Sequence, residues 1–214
     1  MILKQTKSIY RFPNPLEASK KGLVAWGGDL NPDRVLSAYL QGIFPWYNED
    51  DPILWWSPDP RLVLYPQDIK ITKSLKKSLK KYEVKVDTNF EQVIKSCRNI
   101  RVEKGEQSWI VDDMIECYTK LYHDGLVKSF ETYHDGELVG GLYGVDLGGV
   151  FCGESMFSKK SDASKVALVA LCRYCQDNAY EFIDCQVPTP HLKSMGAVEI
   201  SREEFIKKLK TTLA

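Results

Sequence analysis

The spacing of apolar and polar positions becomes regular from Arg61 onward. Leu62-Val-Leu-Tyr65 reads as a short strand and Thr72–Lys81 as a helix, and Glu91–Arg101 and Val111–Asp124 read as two more helices. Lys128–His134 and Leu138–Val145 are strands by pattern. They are joined by Asp135-Gly136, a pair suited to the type I′ turn of a tight hairpin. Gly148-Gly149 turns the chain into a further apolar segment, Val150–Met156. The stretch from Asp162 to about Asp177 is apolar almost all round, which predicts a buried helix, and Phe182–Val187 follows as a strand. Meander, strand, buried helix, strand: the order predicts an α+β fold with a mixed sheet and a parallel β-α-β unit near its end.

The first sixty residues have a different texture. They hold seven of the ten prolines and four of the five tryptophans. Gly27-Gly-Asp-Leu-Asn-Pro32 reads as a turn into a short helix from Pro32 to about Gln41, with proline in its first turn. So much proline leaves room only for short elements. A small loop-rich N-terminal domain over 1–60 and a larger domain over 61–214 are expected, with most of the tryptophans serving as core.

Composition narrows the class. With 43% hydrophobic residues in 214 the chain is not intrinsically disordered. No apolar run approaches the roughly 18–20 residues of a bilayer span, and Met1–Lys7 is too weakly apolar for a signal peptide. A soluble, cytoplasmic protein with no membrane partner is expected. The six cysteines fall mostly inside apolar runs, as reduced core residues do. Cys172-Arg-Tyr-Cys175 lies within the buried helix and has no second cysteine pair, so core packing is its reading. His123, His134 and His191 lack ligand spacing, and no metal site is expected; a supporting or helix-start role suits His191.

Two constellations carry candidate chemistry. Strand alternation sets Asp184 and Gln186 on one face of Phe182–Val187, with Ile183, Cys185 and Val187 on the other. Glu154 stands amid Phe151, Cys152 and Met156 one crossover earlier. If the two strands are neighbours, the three polar groups converge at their C-terminal ends, where open sheets place ligands. A buried hydrogen-bond network is the alternative and suits any one of them taken singly, while the convergence of three favours a functional site. The second constellation is the helix at Thr72–Lys81. At about 100° per residue, Lys73, Lys76, Lys77, Lys80 and Lys81 share one broad face, with Leu75 and Leu79 opposite. No acidic residue lies between 69 and 82, so the face is either a solvated surface or a phosphate-binding one. Phosphate-loop, dinucleotide, zinc-protease and nucleophile-elbow motifs are absent.

Longer strings are more specific. Gly27-Gly-Asp-Leu, Ala38-Tyr-Leu-Gln-Gly-Ile-Phe-Pro-Trp46, Trp55-Trp-Ser-Pro-Asp-Pro-Arg61, Ser108-Trp-Ile110, Phe151-Cys-Gly-Glu-Ser-Met-Phe157, Ile183-Asp-Cys-Gln186 and His191-Leu-Lys-Ser-Met-Gly-Ala197 resemble the bacterial leucyl/phenylalanyl-tRNA–protein transferase family, in order from about residue 10 to 205. The resemblance implies an enzyme, without cofactor, that moves Leu, Phe or Met from aminoacyl-tRNA to the α-amino group of proteins beginning with Arg or Lys. The product is an N-degron. It also implies an N-acetyltransferase-like (GNAT-like) domain behind a small N-terminal one, in a monomer. Carried over by motif, Asp184 and Gln186 are the catalytic pair and Glu154 binds near the reactive end. Trp46 and Trp109 hold the terminal adenosine. Leu142, Phe151, Leu168, Leu171 and Ile183 line a side-chain pocket, and Lys73, Lys77, Lys80 and Lys81 meet the acceptor stem.

The chain departs from the family pattern at Lys128-Ser-Phe-Glu-Thr-Tyr133 and at Leu121-Tyr122, where histidines are usual; these positions read as structural. Two rival readings remain at this level. A CoA-dependent N-acetyltransferase would want a glycine-rich loop where Ser158–Ser164 has none. A non-catalytic tRNA-binding module would leave Glu154, Asp184 and Gln186 without a purpose.

Overall fold

A computed structural model describes residues 10–103, 105 and 108–214; Met1–Lys7 lies outside them. Two sheets organise the chain. The small one comprises β1 (Leu23–Trp26), β2 (Phe44–Pro45) and β3 (Leu54–Trp56), in the order β1-β3-β2, with α1 (Pro32–Leu40) between the first two strands. Helix α1 starts as the sequence predicts: the Asn31 side chain accepts from the Asp33 N–H and Pro32 stands in the first turn.

The large sheet has seven strands in the order β10-β4-β9-β8-β7-β6-β5: β4 (Arg61–Leu64), β5 (Glu83–Val86), β6 (Val127–His134), β7 (Glu137–Asp146), β8 (Val150–Ser158), β9 (Phe182–Gln186) and β10 (Val198–Ile200). Among the described residues only β8 and β9 run parallel, and α5 (Ala163–Asp177) makes the crossover between them, so the mixed sheet and the β-α-β unit are both present. The β6–β7 hairpin turns through Asp135 and Gly136, both at positive φ (52° and 79°), as its sequence demands. The remaining helices are α2 (Lys73–Lys81), α3 (Phe90–Val102), α4 (Asp112–His123), α6 (Pro190–Ser194) and α7 (Arg202–Thr212). Sequence periodicity does not resolve β1, β3, β5, β10 or α6, all five residues long or fewer.

Strand alternation sorts the core into two faces. Val63, Val150, Cys152 and Phe182 pack with α1, α3, α4 and α7 on one side. Leu62, Leu64, Phe151 and Ile183 pack under α5 on the other. Trp55 is fully buried, but Trp26 and Trp46 are exposed (74% and 44%) and Trp56 is half-buried, so, contrary to expectation, most of the N-terminal tryptophans are not core. All six cysteines are free; Cys172 and Cys175 are buried, and burial pushes the Cys172 thiol up to about 12. Packing, not redox chemistry, is their role.

A buried carboxylate joins sheet to helix. Glu131 on β6 accepts from the Ser129 hydroxyl (2.5 Å) and the Thr88 hydroxyl (3.0 Å), and from the Asn89 N–H (3.3 Å) at the start of α3. Asp87 next to it accepts from Lys128 Nζ (3.1 Å), and its carbonyl accepts from the Tyr122 hydroxyl (2.8 Å). The atypical residues Lys128 and Tyr122 thus anchor α3 and α4, a structural role.

Helix α5 lies very close to β7. A Cβ at Gly140 would fall 2.5 Å from the Ala163 Cβ and 2.8 Å from its carbonyl carbon. Gly140→Val should therefore displace the start of α5 and destabilise the protein by about 1–3 kcal/mol, measured as a lower urea midpoint at unchanged slope.

Candidate active site at the divergence of two strands

Strands β8 and β9 stay in register from Val150↔Phe182 to Cys152↔Asp184, and then separate. Local irregularities on both sides cause this. Between β7 and β8 the pairing skips from Tyr143↔Ser155 to Gly144↔Gly153, leaving Glu154 as the extra residue of a bulge. On β9, Gln186 sits at φ 62°, a left-handed conformation that turns the strand. The gap opens a cavity of about 470 Å3.

Its floor is apolar, with Leu142, Met156, Leu168, Leu171 and Ile183 on the wall; Trp46, 44% exposed, and Trp109 line it too. Glu154 and Gln186 also face it, and the Gln186 amide donates from Nε2 to Glu154 Oε1 at 2.8 Å. From the helical side the Tyr118 hydroxyl donates to Glu154 Oε2 at 3.0 Å. Burial pushes the Glu154 carboxyl up to about 7, against the hydroxyls of Tyr39 and Tyr118 and the Gln186 amide, which pull it down. Near neutral pH it is divided between its two protonation states.

Asp184 does not join that wall. It is fully buried on the opposite face of β9, with Arg61 Nε on Oδ1 at 2.8 Å and Arg61 Nη2 on Oδ2 at 2.6 Å. The guanidinium lies over the rings of Phe44 (4.8 Å) and Phe205 (4.3 Å). Strand alternation was expected to aim Asp184 and Gln186 together. The left-handed turn at Gln186 breaks the alternation, so the amide reaches the cavity and the carboxylate does not. Asp184 still bears on the site, because its Oδ1 also accepts from the Gln186 N–H at 2.9 Å and so fixes that turn.

Phe151 is a second correction. It is fully buried behind the cavity wall, against Phe130 with ring centroids 6.2 Å apart, and does not line the cavity. His191 is the converse: it lines the cavity, half-buried, and burial together with the Lys165 charge pushes its pKa down. The residues that sequence reasoning missed are Arg61, Tyr39 and Tyr118. A charged residue opening the apolar run Arg61-Leu-Val-Leu64 was the available signal for the first; the tyrosines look like ordinary helix core.

The expected lysines lie elsewhere, on α2. Lys73, Lys76, Lys77, Lys80 and Lys81 are exposed, and among the described residues none of them is in an ion pair, while Leu75 is buried. No group of residues suited to a metal occurs among the described residues, and no helix there is long and apolar enough to cross a membrane.

A bulged carboxylate and a kinked amide above an apolar slot suit positioning an acyl group against a nucleophile. The comparisons with known proteins agree with that class. The family model for leucyl/phenylalanyl-tRNA protein transferase matches residues 63–210, and that for the transferase's N-terminal domain matches residues 28–59. A leucyl/phenylalanyl-tRNA–protein transferase of Sulfurimonas denitrificans is 53% identical over 98% of this chain and 92% of its own length. One from Legionella pneumophila (strain Corby) is 54% identical over 96% and 93%. The chain belongs to the leucyl/phenylalanyl-tRNA–protein transferase family. Similar solved structures include a predicted acetyltransferase with acetyl-CoA from Clostridium acetobutylicum, at 8% identity and TM-score 0.42, covering 53% of this chain and 85% of that one. An aminoglycoside acetyltransferase from an uncultured soil sample, at 15% identity and TM-score 0.41, covers 61% and 88%.

The Arg61–Asp184 pair yields a stability prediction. Asp184→Asn or Arg61→Met leaves one charge buried without its counter-ion and should cost about 3–5 kcal/mol in equilibrium unfolding. A well-packed double replacement of both should cost much less.

Proposed function

We propose that this protein transfers Leu, Phe or Met from aminoacyl-tRNA to the α-amino group of proteins beginning with Arg or Lys, marking them with an N-degron, and that it does so as a cytoplasmic monomer without a cofactor. The observation that carries this reading is the Glu154–Gln186 pair opening on one cavity with an apolar slot and two tryptophans. In this reading the two family matches correspond to two domains, with the division near residue 60.

The aminoacyl ester is already activated, so the protein must supply mainly proximity and orientation, worth up to about 7–11 kcal/mol in favourable cases. Leu142, Leu168, Leu171 and Ile183 take the amino-acid side chain, with Phe151 shaping the slot from behind. A slot narrow at Cβ and deep beyond it rejects Ile and Val by shape, by about 1–3 kcal/mol. Trp46 and Trp109 offer flat faces to the terminal adenine. Lys73, Lys77, Lys80 and Lys81 meet the acceptor-stem phosphates and position the tRNA without reading its sequence.

The incoming α-amino group has an ordinary pKa near 8 and arrives mostly protonated. The ammonium first gives one proton to solvent; the free amine, held beside ionised Glu154, then gives a second proton to that carboxylate as its nitrogen bonds to the ester carbonyl carbon. The same proton passes to the 3′-oxygen as the carbon–oxygen bond breaks, so the carboxylate is regenerated. Gln186 orients Glu154 and polarises the ester carbonyl, and Asp184 holds Gln186 in place. Activity should accordingly fall as pH drops below about 7, where Glu154 becomes protonated.

The decisive assay is transfer of radiolabelled Leu from Leu-tRNA to an Arg-starting peptide, with the N-acetylated peptide as control. Label should enter the first and not the second; equal labelling of both would overturn the reading, as would tight CoA binding in calorimetry. Glu154→Gln should lower turnover by about 100-fold or more with the tRNA Kd nearly unchanged. Replacing Lys77 and Lys80 by Ala should weaken every tRNA alike and flatten the logarithmic salt slope by between about 1 and 2.

A further inference from the structure

Glu154 is held from behind as well as from the side. Tyr118 on α4 donates to its Oε2 at 3.0 Å, and the hydroxyls of Tyr118 and Tyr39 lie 2.5 Å apart. Tyr39 belongs to α1, within the stretch matched by the N-terminal family model, and both rings are at most 1% exposed. Burial, aided by the negative charge of Glu154, pushes both phenols far above their ordinary pKa, so each keeps its single hydrogen. The Tyr118 hydrogen goes to the carboxylate, and the Tyr39 hydroxyl stands against Tyr118 and beside Glu154, so that both phenols act on the same carboxyl. Meanwhile the Gln186 amide occupies Oε1. Both carboxylate oxygens are therefore tethered, one from each side of the cleft, and the plane of the carboxylate is set.

We infer that Tyr118 and Tyr39 are positioning residues of the transfer reaction, a two-hydroxyl chain that fixes the Glu154 carboxylate and tunes how readily it takes a proton. The inference rests on Glu154 being the proton acceptor. It also makes the small N-terminal unit part of the site, since α1 supplies the outer hydroxyl. The ionisable groups facing Glu154 are few and come from every surrounding element: Tyr39 from α1, Cys117 and Tyr118 from α4, Tyr143 from β7, Cys152 from β8 itself and Asp184 from β9. Arg101 from α3 adds a positive charge at the cavity wall. Among them the two phenols lower the Glu154 pKa, while the Asp184 charge raises it. Removing either hydroxyl should leave the proton more tightly held.

Tyr118→Phe and Tyr39→Phe keep both rings and remove one hydroxyl each. The test is the pH profile of kcat, at saturating aminoacyl-tRNA and Arg-starting peptide, together with an infrared titration of the Glu154 carboxyl, assigned by its loss in Glu154→Gln. In both variants the acidic limb and the carboxyl titration should move upward by about one pH unit, a tenfold greater loss of turnover at pH about 6 than at pH about 8.5. KM for aminoacyl-tRNA should hold. The peptide amine titrates identically for every enzyme, so a displacement between profiles belongs to the protein.

A uniform drop in kcat at all pH values, with the carboxyl titration unmoved, would overturn the inference and leave the tyrosines as scaffold. Retained turnover in Glu154→Gln would instead overturn the reading of Glu154, whatever the tyrosine variants do. Should Tyr118→Phe fail to fold, Tyr39→Phe, one bond further from the cavity, carries the same test.

Discussion

The fully buried pair between Arg61 and Asp184 is the constraint on which the rest of the site depends. Two opposite charges in a dry interior hold each other strongly only when their geometry and hydrogen bonds are nearly complete. Here the guanidinium meets both carboxylate oxygens and lies against Phe44 and Phe205. Those four residues come from the small sheet, from β4, from β9 and from α7. One ion pair thus ties the N-terminal strands, the last crossover and the C-terminal helix to a common point. The remaining capacity of Asp184 goes to the Gln186 N–H. A structural interaction on one face of the sheet thereby dictates where a polar side chain stands on the other.

The cavity exists because two strands stop being regular at matching depth. An extra residue in β8 and a left-handed residue in β9 end the parallel ladder just beyond Cys152 and Asp184. Between the diverging strands, backbone gives way to apolar side chains from β7, β8, β9 and α5. The Glu154–Gln186 pair stands where the ladder breaks. Such an arrangement leaves a greasy slot with one wet edge, the shape an acyl group with a reactive carbonyl requires.

Most of the fold was legible in the sequence, because its long elements are strongly periodic. The Asp135-Gly136 hairpin, the all-apolar α5 and the β-α-β order each follow from local rules that nothing in the tertiary structure overrides. Short elements such as β5 and β10 were not legible, since their pairing comes from distant strands. At the site, the convergence of Glu154 and Gln186 could be read from spacing, but the fate of Asp184 could not. Gln186 parts from it through a left-handed kink, and the Asp184 carboxylate that bonds the Gln186 N–H is itself held by Arg61, more than a hundred residues away in sequence. Phe151 was carried over by motif, and a motif does not tell whether a side chain lines the cavity or stands in the layer behind it. Tyr39 and Tyr118 carried no signal, because a buried phenol and a buried phenylalanine have the same pattern until the partner of the hydroxyl is known.

The exposed lysines of α2 have a consequence for encounter as well as for contact. The whole chain carries equal numbers of acidic and basic side chains, 29 of each. Concentrating five cations on one short helix therefore leaves an opposing excess spread over the remainder, and the molecule acquires an electric moment without a net charge. A polyanion approaching from any direction exerts a torque before it touches, turning that helix toward itself. Under the tRNA contact proposed for α2, that uneven placement turns the lysine face to the substrate, while overall neutrality limits indiscriminate adhesion to nucleic acid.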